Sequence, residues 1–157
     1  PDLFNGRPRR PPRDPANALL SYGYTILLNQ VMSALCIVGL DPYVGYLHGS
    51  RFGKPALALD LMEEFRAPFA DRAAFTLVNR QQLSPADFET KENKAVYLKD
   101  DSRKKVLTHW QERKQKAIRH PFLQEETTIG LLPHLQARLL ARHLRGDLDA
   151  YPAFVSR

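Results

Sequence analysis

The chain has 157 residues, of which 43% are hydrophobic and 25% charged, and its formal net charge is +6. This balance is typical of one globular domain and excludes a disordered or fibrous chain. The single cysteine, Cys36, excludes an intrachain disulfide and a disulfide-rich secreted scaffold. We therefore expect a cytoplasmic protein, and its basic charge favours polyanions such as nucleic acids as partners.

The first predicted element is a basic arm, and a long helix follows it. Residues 1–13 are rich in Pro and Arg and lack apolar periodicity, which predicts an extended segment. Asp14 is predicted to be the N-cap of the helix and Pro15 its first residue. The helix is predicted to run to about Val38 and to end at Gly39. Its apolar character also allows a membrane span, but its polar interruptions favour a buried bundle helix.

The remaining elements alternate helices with short connections, and the predicted strands are too few for a sheet-based core. The predicted fold class is therefore mainly α: a helical bundle-like domain over residues 14–146 with a small hairpin, followed by a tail at 147–157. After the first helix we predict an extended piece at Tyr43–His48 and a loop at Gly49–Lys54. A second helix is predicted from Pro55, with a kink at Pro68 and an end near Asn79, and a helical turn from Ser84 and a hairpin within Phe88–Leu98 follow it. The last predicted elements are a helix from Asp101 or Ser102 to about Arg119, a loop over 121–130, and a helix from about Leu131 to Arg145.

Two basic segments flank a nearly neutral centre. Residues 1–13 carry four arginines and one acidic residue, and residues 101–145 carry ten basic and four acidic residues. Such segments are either solvated faces that maintain solubility or surfaces that contact phosphates. On the predicted helix after Asp101, the residues expected to present positive charge to solvent are Lys104, Lys105, Arg113, Lys114 and Lys116.

One group of residues could bind a cation. Asp60 and Glu63 are three residues apart, and Asp60 and Glu64 four apart, so their carboxylates share one face of a helix. His48 precedes a Gly-containing loop that could bring its imidazole to the same ion. One imidazole with carboxylates suits Mg²⁺ or Mn²⁺ better than structural zinc. The ordinary alternative is that the glutamates pair with Arg66 and His48 is a satisfied polar residue. No CxxC pair, P-loop or GxSxG motif is present.

Several ordered segments resemble the CRISPR-associated integrase, the metal-dependent endonuclease of CRISPR adaptation. That family has an N-terminal β domain and a C-terminal α-helical catalytic domain, and this chain resembles only the second, without the β domain. The segments are RPPRDPANALLSYGYTILLN, GLDPYVGYLH and PALALDLMEEFR, and then VNRQQLSPADF, VYLKDDSRKKVL and LQARLLARHLRG, which resemble the C-terminal helices of the family.

The resemblance implies a site and a reaction. The family holds one Mg²⁺ or Mn²⁺ through a glutamate, a histidine and a third carboxylate. The histidine matches His48, the third carboxylate matches Glu63, and Asp60 is an acidic neighbour one turn earlier. The resemblance thus implies His48, Glu63 and Asp60 as catalytic residues, with His48 and Glu63 as metal ligands. Arg66, Arg10 and Arg13 are then expected to bind DNA with the basic helix, while the protein inserts new spacers into a CRISPR array by transesterification.

The first glutamate of the family triad should lie some tens of residues before RPPRDP. Only nine residues precede Arg10, and none is Glu. We therefore expect either a portion of a longer protein or a degenerate copy, with doubtful activity on its own. The implied partners are double-stranded and branched DNA, a small ferredoxin-like subunit and a second copy in the full-length protein, with no membrane. The alternative function is a non-catalytic helical DNA-binding or scaffold domain.

Overall fold

The computed structural model describes residues 11–44 and 53–155. Within these residues, five α-helices form the body of the fold, and two short antiparallel hairpins lie between them. This confirms the mainly α class. The helices are α1 Pro15–Ile37, α2 Ala56–Phe65, α3 Arg72–Asn79, α4 Asp100–Lys114 and α5 Leu132–Leu144. The strands are β1 Phe88–Thr90, β2 Val96–Leu98, β3 Ala117–Arg119 and β4 Glu126–Thr128.

The bounds of α1 follow from its caps. The Asp14 carboxylate accepts a hydrogen bond from the Asn17 amide at 2.8 Å, and Pro15 opens the helix, as predicted. Val38 caps the C-terminus, and Gly39 takes a φ of +81°, a conformation that glycine adopts without strain. Because a glycine follows directly, the helix stops where the sequence predicts.

The core of the fold surrounds α1. This helix is long and apolar enough to cross a membrane by length and composition alone. Seven of its residues are nevertheless buried in the protein, where it packs against α2, α3 and α5. Gln30 explains one polar interruption, since its Oε1 accepts a hydrogen bond from Trp110 Nε1 at 3.0 Å. The largest fully buried apolar side chains are Phe65, Phe69, Leu27, Leu35, Leu77, Leu132 and Val31.

A π-helical segment, Arg66–Asp71, joins α2 to α3. Pro68 lies inside it, where the sequence predicts a kink. The widened turn keeps α2 and α3 continuous and leaves the Pro68 carbonyl accessible to a side chain. Arg113 Nη2 donates to that carbonyl oxygen at 2.6 Å. The kink is therefore a local change of helical geometry, and α4 supplies a partner for it.

The first hairpin lies where the sequence predicts it. β1 and β2 pair with Phe88 opposite Leu98, and the helical turn Pro85–Asp87 precedes them. The described end of the basic arm is attached here, because the Pro12 carbonyl accepts a hydrogen bond from the Val96 amide at 2.9 Å. This contact holds the start of α1 beside the hairpin.

Two expectations are wrong. The helix predicted to reach Arg119 ends at Lys114, and β3 and β4 pair within the segment predicted as helix end and loop. The reason is His120, which is fully buried and whose Nδ1 accepts hydrogen bonds from the amides of Phe122 and Leu123. This side chain organises a tight turn that a helix could not form.

The extended piece predicted over Tyr43–His48 is not confirmed at its start. Tyr43 lies in a turn, and its amide donates to Asp41 Oδ1 at 2.9 Å. The remainder of that piece lies outside the described residues, except Val44, which has no regular structure.

Candidate active site

Helix α2 places its acidic residues on a largely buried element. Six of its ten residues are buried against the core, so its orientation is fixed by packing. The two adjacent glutamates, Glu63 and Glu64, differ by about 100° around the helix axis because an α-helix has 3.6 residues per turn. They consequently enter different environments.

Glu64 is the acceptor at the centre of a hydrogen-bond network. Its Oε1 accepts from Tyr151 OH at 2.7 Å, and its Oε2 accepts from Gln136 Nε2 at 2.9 Å and from the Phe154 amide at 2.7 Å. Gln136 is fully buried and also contacts His120, whose Nε2 lies 3.0 Å from Gln136 Oε1. Since His120 Nδ1 accepts hydrogen bonds, its Nε2 carries the proton and donates a hydrogen bond to Gln136 Oε1. The network ties the C-terminal segment and α5 to α2.

The network also changes the acidity of its tyrosine. Burial raises the pKa of the Tyr151 hydroxyl far above its usual value, and the negative charge of Glu64 raises it further. Tyr151 therefore remains a hydrogen-bond donor throughout the physiological range. Glu64 is satisfied inside the protein, which leaves its carboxylate oxygens committed to structure.

Glu63 faces solvent instead. Its side chain is 52% exposed, and its Oε1 lies 2.6 Å from Arg66 Nη1. The Arg66 guanidinium carbon stands 4.4 Å from the centre of the Tyr24 ring, and Tyr24 OH donates to Asp71 Oδ1 at 2.6 Å. Burial opposes the charged form of Arg66, but its hydrogen bonds to Glu63 and Tyr24 outweigh this and raise its pKa. Glu63 and Arg66 thus form an accessible ion pair with a defined geometry.

Asp60 lies one helical turn before Glu64. Both Asp60 and Glu64 line a cavity of about 290 Å³ between α2 and α5, which His143 and Tyr151 also line. His48 lies outside the described residues. Within 11–44 and 53–155, no group of three or more His, Cys, Asp or Glu side chains is placed to hold a metal ion. The described residues alone therefore do not make a complete cation site. Of the predicted ligand pair His48 and Glu63, they include only Glu63, whose carboxylate is exposed.

The basic candidates divide by environment. Arg13 is exposed, while Arg10 lies outside the described residues. Lys104 and Lys105 are exposed but carry ion pairs, with Asp101 at 3.0 Å and Asp87 at 2.8 Å. The pair of Lys104 is exposed and held loosely, whereas Asp87 is only 12% exposed and binds Lys105 more firmly. Both lysine side chains are more than half exposed, so they remain accessible to phosphates.

Two basic residues of α4 do not present their side chains fully to solvent, as the sequence predicts that they should. Arg113 is only 9% exposed, and the expectation that it presents its charge to solvent is wrong because its guanidinium turns inward to the Pro68 carbonyl. Lys114 lies against the helical turn Ile129–Leu131 that joins β4 to α5: a Cβ added at Gly130 would stand 3.0 Å from Lys114 Cβ and 3.2 Å from its Cε. The stem of Lys114 is thus held against the backbone.

Sequence reasoning missed the residues that fix α2. Gln136, Tyr151 and Phe154 lie 72, 87 and 90 residues from Glu64 along the chain. No spacing rule relates positions so far apart. The one available signal was two adjacent glutamates on an apolar helix, since such neighbours point about 100° apart around the axis.

Comparison with known families matches residues 3–112 to CRISPR associated protein Cas1. The chain belongs to the Cas1 family. It is 59% identical over 149 residues to the CRISPR-associated endonuclease Cas1 2 of Rhodospirillum rubrum, covering 95% of this chain and 43% of that protein. It is 52% identical over 154 residues to the CRISPR-associated endonuclease Cas1 1 of Chlorobaculum tepidum, covering 98% of this chain and 45% of that protein. The chain spans less than half the length of these Cas1 relatives.

Solved structures show the same fold. A casposase bound to integration product superposes with a TM-score of 0.86 at 28% identity, covering 97% of this chain and 44% of the other. A CAS1 protein from Thermotoga maritima gives a TM-score of 0.83 at 29% identity, with 93% and 45% covered. A partial Cas6-RT-Cas1–Cas2 complex gives 0.79 at 28% identity, with 99% and 46% covered. The α-helical domain of this chain is thus a Cas1-type domain.

Proposed function

We propose that this chain is the helical part of a metal-dependent DNA endonuclease and integrase that inserts new spacers into a CRISPR array. The observation that supports the proposal is the difference between two neighbours on α2. Glu64 makes its hydrogen bonds within the protein, whereas Glu63 is exposed and held in an ion pair at the surface. A carboxylate that is exposed but fixed by a buried helix is suited to bind a cation. The names of the relatives, which are Cas1 endonucleases, support the same conclusion.

In the proposed site, Glu63 and His48 hold one Mg²⁺ or Mn²⁺ together with a glutamate from outside this chain. Oxygen ligands with one imidazole suit these cations. A cation held by these residues would supply Lewis-acid polarisation of a phosphodiester oxygen. Asp60, one turn before Glu63, adds negative charge at this end of α2. Arg66 orients the Glu63 carboxylate before a substrate arrives, because the two side chains are already paired.

The proposed reaction is a transesterification. The oxygen of a DNA 3′-hydroxyl forms a new bond to a repeat phosphorus, the existing bridging oxygen leaves with its electron pair, and the hydroxyl proton is transferred to that leaving oxygen through solvent. With water as the nucleophile, the same site hydrolyses DNA. The protein positions the strands, and we assign phosphate contacts to Arg10, Arg13, Arg66, Lys104, Lys105 and Lys114, which neutralise charge without reading bases.

The partners we propose follow from the same relatives. A solved neighbour is a casposase bound to integration product, and another contains Cas1 with Cas2. We accordingly propose double-stranded and branched DNA, a small ferredoxin-like subunit and a second copy of the complete protein as partners in the cytoplasm. The net charge of +6 is consistent with the DNA partner.

A second candidate is a non-catalytic DNA-binding or scaffold domain. It is favoured by one observation: the residues that the structure describes contain no group of three side chains able to hold a metal. In that case the basic surfaces would retain DNA while no strand is cut.

The experiment that separates the two uses a chimaera in which this chain replaces the matching segment of the Rhodospirillum rubrum relative. We expect Mn²⁺-dependent nicking of a plasmid and joining of branched DNA by the chimaera, and little or none by residues 1–157 alone. His48→Ala and Glu63→Gln should abolish both reactions, because each removes a ligand and a loosely held ion cannot fix the attacking oxygen. The matched control is Glu112→Gln, an exposed glutamate of α4. Full activity of the His48→Ala chimaera, or equal losses in Glu63→Gln and Glu112→Gln, would refute the site.

A further inference from the structure

A cavity of about 390 Å³ lies between the start of α3, the end of α4 and the hairpin of β3 and β4. Three arginines contribute to its wall, Arg72, Arg113 and Arg119, and none of the described residues that line it is acidic. Its apolar wall includes Phe69 and Phe154. Asp60, Glu63 and Glu64 are not part of this lining.

Arg113 is the unusual residue of this cavity. It is more than nine-tenths buried, and while Nη2 donates to the Pro68 carbonyl, its Nε has no hydrogen-bond partner within the described residues. Burial lowers the pKa of Arg113, and the nearby charge of Arg72 lowers it further. An arginine nevertheless stays protonated, so the positive charge of Arg113 has to be balanced by a nearby negative group and not by loss of its proton.

A buried cation without a carboxylate partner is energetically costly. The ion pairs of the described residues include none to Arg113. Arg72 adds a like charge at the same cavity, which increases the repulsion. An anion bound in the cavity would balance the positive charge that Arg113 and Arg72 place in its wall. The residues therefore fit an anionic ligand.

We propose that this cavity binds the terminal phosphate of a nucleotide, with Arg113 and Arg72 as donors. The planar guanidinium matches the oxygens of a phosphate, and two of them supply the charge that a phosphate monoester requires. The aromatic wall suits the base that such a phosphate carries, and the volume lies within the range of small-molecule sites. Free nucleotides and the ends of nucleic-acid strands share this chemistry. The inference goes beyond the proposed strand transfer and does not depend on it.

The test uses the full chain and its own fluorescence. Trp110 is the single tryptophan, and its ring lies 6.4 Å from that of Phe69, which lines the cavity. The probes are inorganic phosphate, a deoxynucleoside monophosphate, and oligonucleotides with and without a terminal phosphate, all at constant ionic strength. We expect a saturable change in Trp110 emission and a higher melting temperature with the monophosphate.

Three variants decide the proposal. Arg72→Gln should weaken binding of the monophosphate by roughly tenfold or more, since it removes charge-assisted hydrogen bonds. Arg113→Met should abolish the phosphate-dependent rise in melting temperature. If the Arg113→Met variant does not fold, the affinity of Arg72→Gln decides the proposal, because Arg72 is exposed. Arg138→Gln, which makes the same charge change on the exposed side of α5, should bind as the wild type does.

The probes also identify the source of the phosphate. Tighter binding of oligonucleotides that carry a terminal phosphate supports a strand end, and a preference for the monophosphate supports a free nucleotide. No saturable response to any phosphate probe would overturn the proposal. Equal affinities of Arg72→Gln and Arg138→Gln would also overturn it, because binding would then reflect net charge alone.

Discussion

The charged residues of α2 and α4 are used in opposite ways. On α2, one carboxylate, Glu64, accepts three hydrogen bonds inside the protein, and its neighbour stands at the surface. On α4, two exposed ion pairs join residues three positions apart, Arg103 with Asp100 and Lys104 with Asp101. The few charges of α2 thus bear on structure and candidate chemistry, whereas the exposed ion pairs within α4 contribute little individually.

The largest expected effect concerns Glu64. Glu64→Ala should lower the free energy of unfolding by about 3 kcal/mol or more, since it leaves the Tyr151 hydroxyl and the Phe154 amide without their acceptor and removes one hydrogen bond of Gln136. Glu63→Ala, one residue away, should cost less than about 0.5 kcal/mol because its ion pair is exposed. Urea unfolding of both variants measures the difference. Equal losses would show that α2 does not distinguish its two glutamates.

A smaller effect is expected at Asp87, the strongest charged contact of α4 with the rest of the protein. Its carboxylate accepts from Ser102 Oγ, from Lys105 Nζ and from the Ser84 amide, each at 2.8 Å. The hydrogen bond from Lys105 is the main cause that holds the pKa of Asp87 far below its usual value, and the Ser84 amide adds to it. Asp87→Asn should therefore lower the free energy of unfolding by about 2 kcal/mol at pH 7.

The pH dependence of that difference has a defined sign. A depressed pKa means that the stabilisation is complete above the pKa of the unfolded chain, about 4, and is lost as the pH falls toward the folded value. Wild type and Asp87→Asn should therefore differ fully at pH 7 and progressively less below about pH 4. Chemical unfolding at several pH values measures this. A difference that grows in acid would contradict the assigned cause.

The smallest effect on stability is expected at Lys104, whose side chain is 77% exposed. Lys104→Ala should change the free energy of unfolding by less than about 0.5 kcal/mol. If Lys104 contacts a phosphate, the same change should reduce the slope of log affinity for DNA against log salt by roughly 0.9. Filter binding between low and moderate salt tests this, and an unchanged slope would assign the residue to solubility.

Local signals in the sequence were sufficient where a single residue determines the backbone. Asp14 and Pro15 begin α1, Gly39 ends it, and the first hairpin turns within the predicted segment. These features depend on neighbours within a few positions, so spacing and residue type predict them.

The second hairpin and the network of Glu64 could not be predicted in this way. Both depend on buried polar side chains, His120 and Gln136, whose partners are chosen by the packing of α2, α5 and the C-terminal segment. A histidine before a proline signals the end of a helix but not a turn built around its ring. The same limit applies to Arg113, whose position on α4 indicates charge but not its direction.

The π-helical segment between α2 and α3 has a consequence for angular phase. Phe65, Phe69, Ala73 and Leu77 are all buried although they are spaced by four residues. In a continuous α-helix, each such step advances the side chain by about 40° around the axis, so the row would rotate away from the core. The wider π turn compensates for part of that advance.

If the same residues were wound as an ordinary α-helix, everything after them would rotate by about 100°, because a π turn holds about one residue more than an α turn. Tyr24 would lose Asp71, and Arg72 would leave the wall of the arginine-lined cavity, although no contact-forming side chain had been replaced. The π-helical geometry of Arg66–Asp71 therefore fixes the rotation of α3 relative to α2. It sets the Glu63 surface and the arginine-lined cavity at a fixed angle to each other, and loss of the π turn at unchanged chain length would disturb both at once.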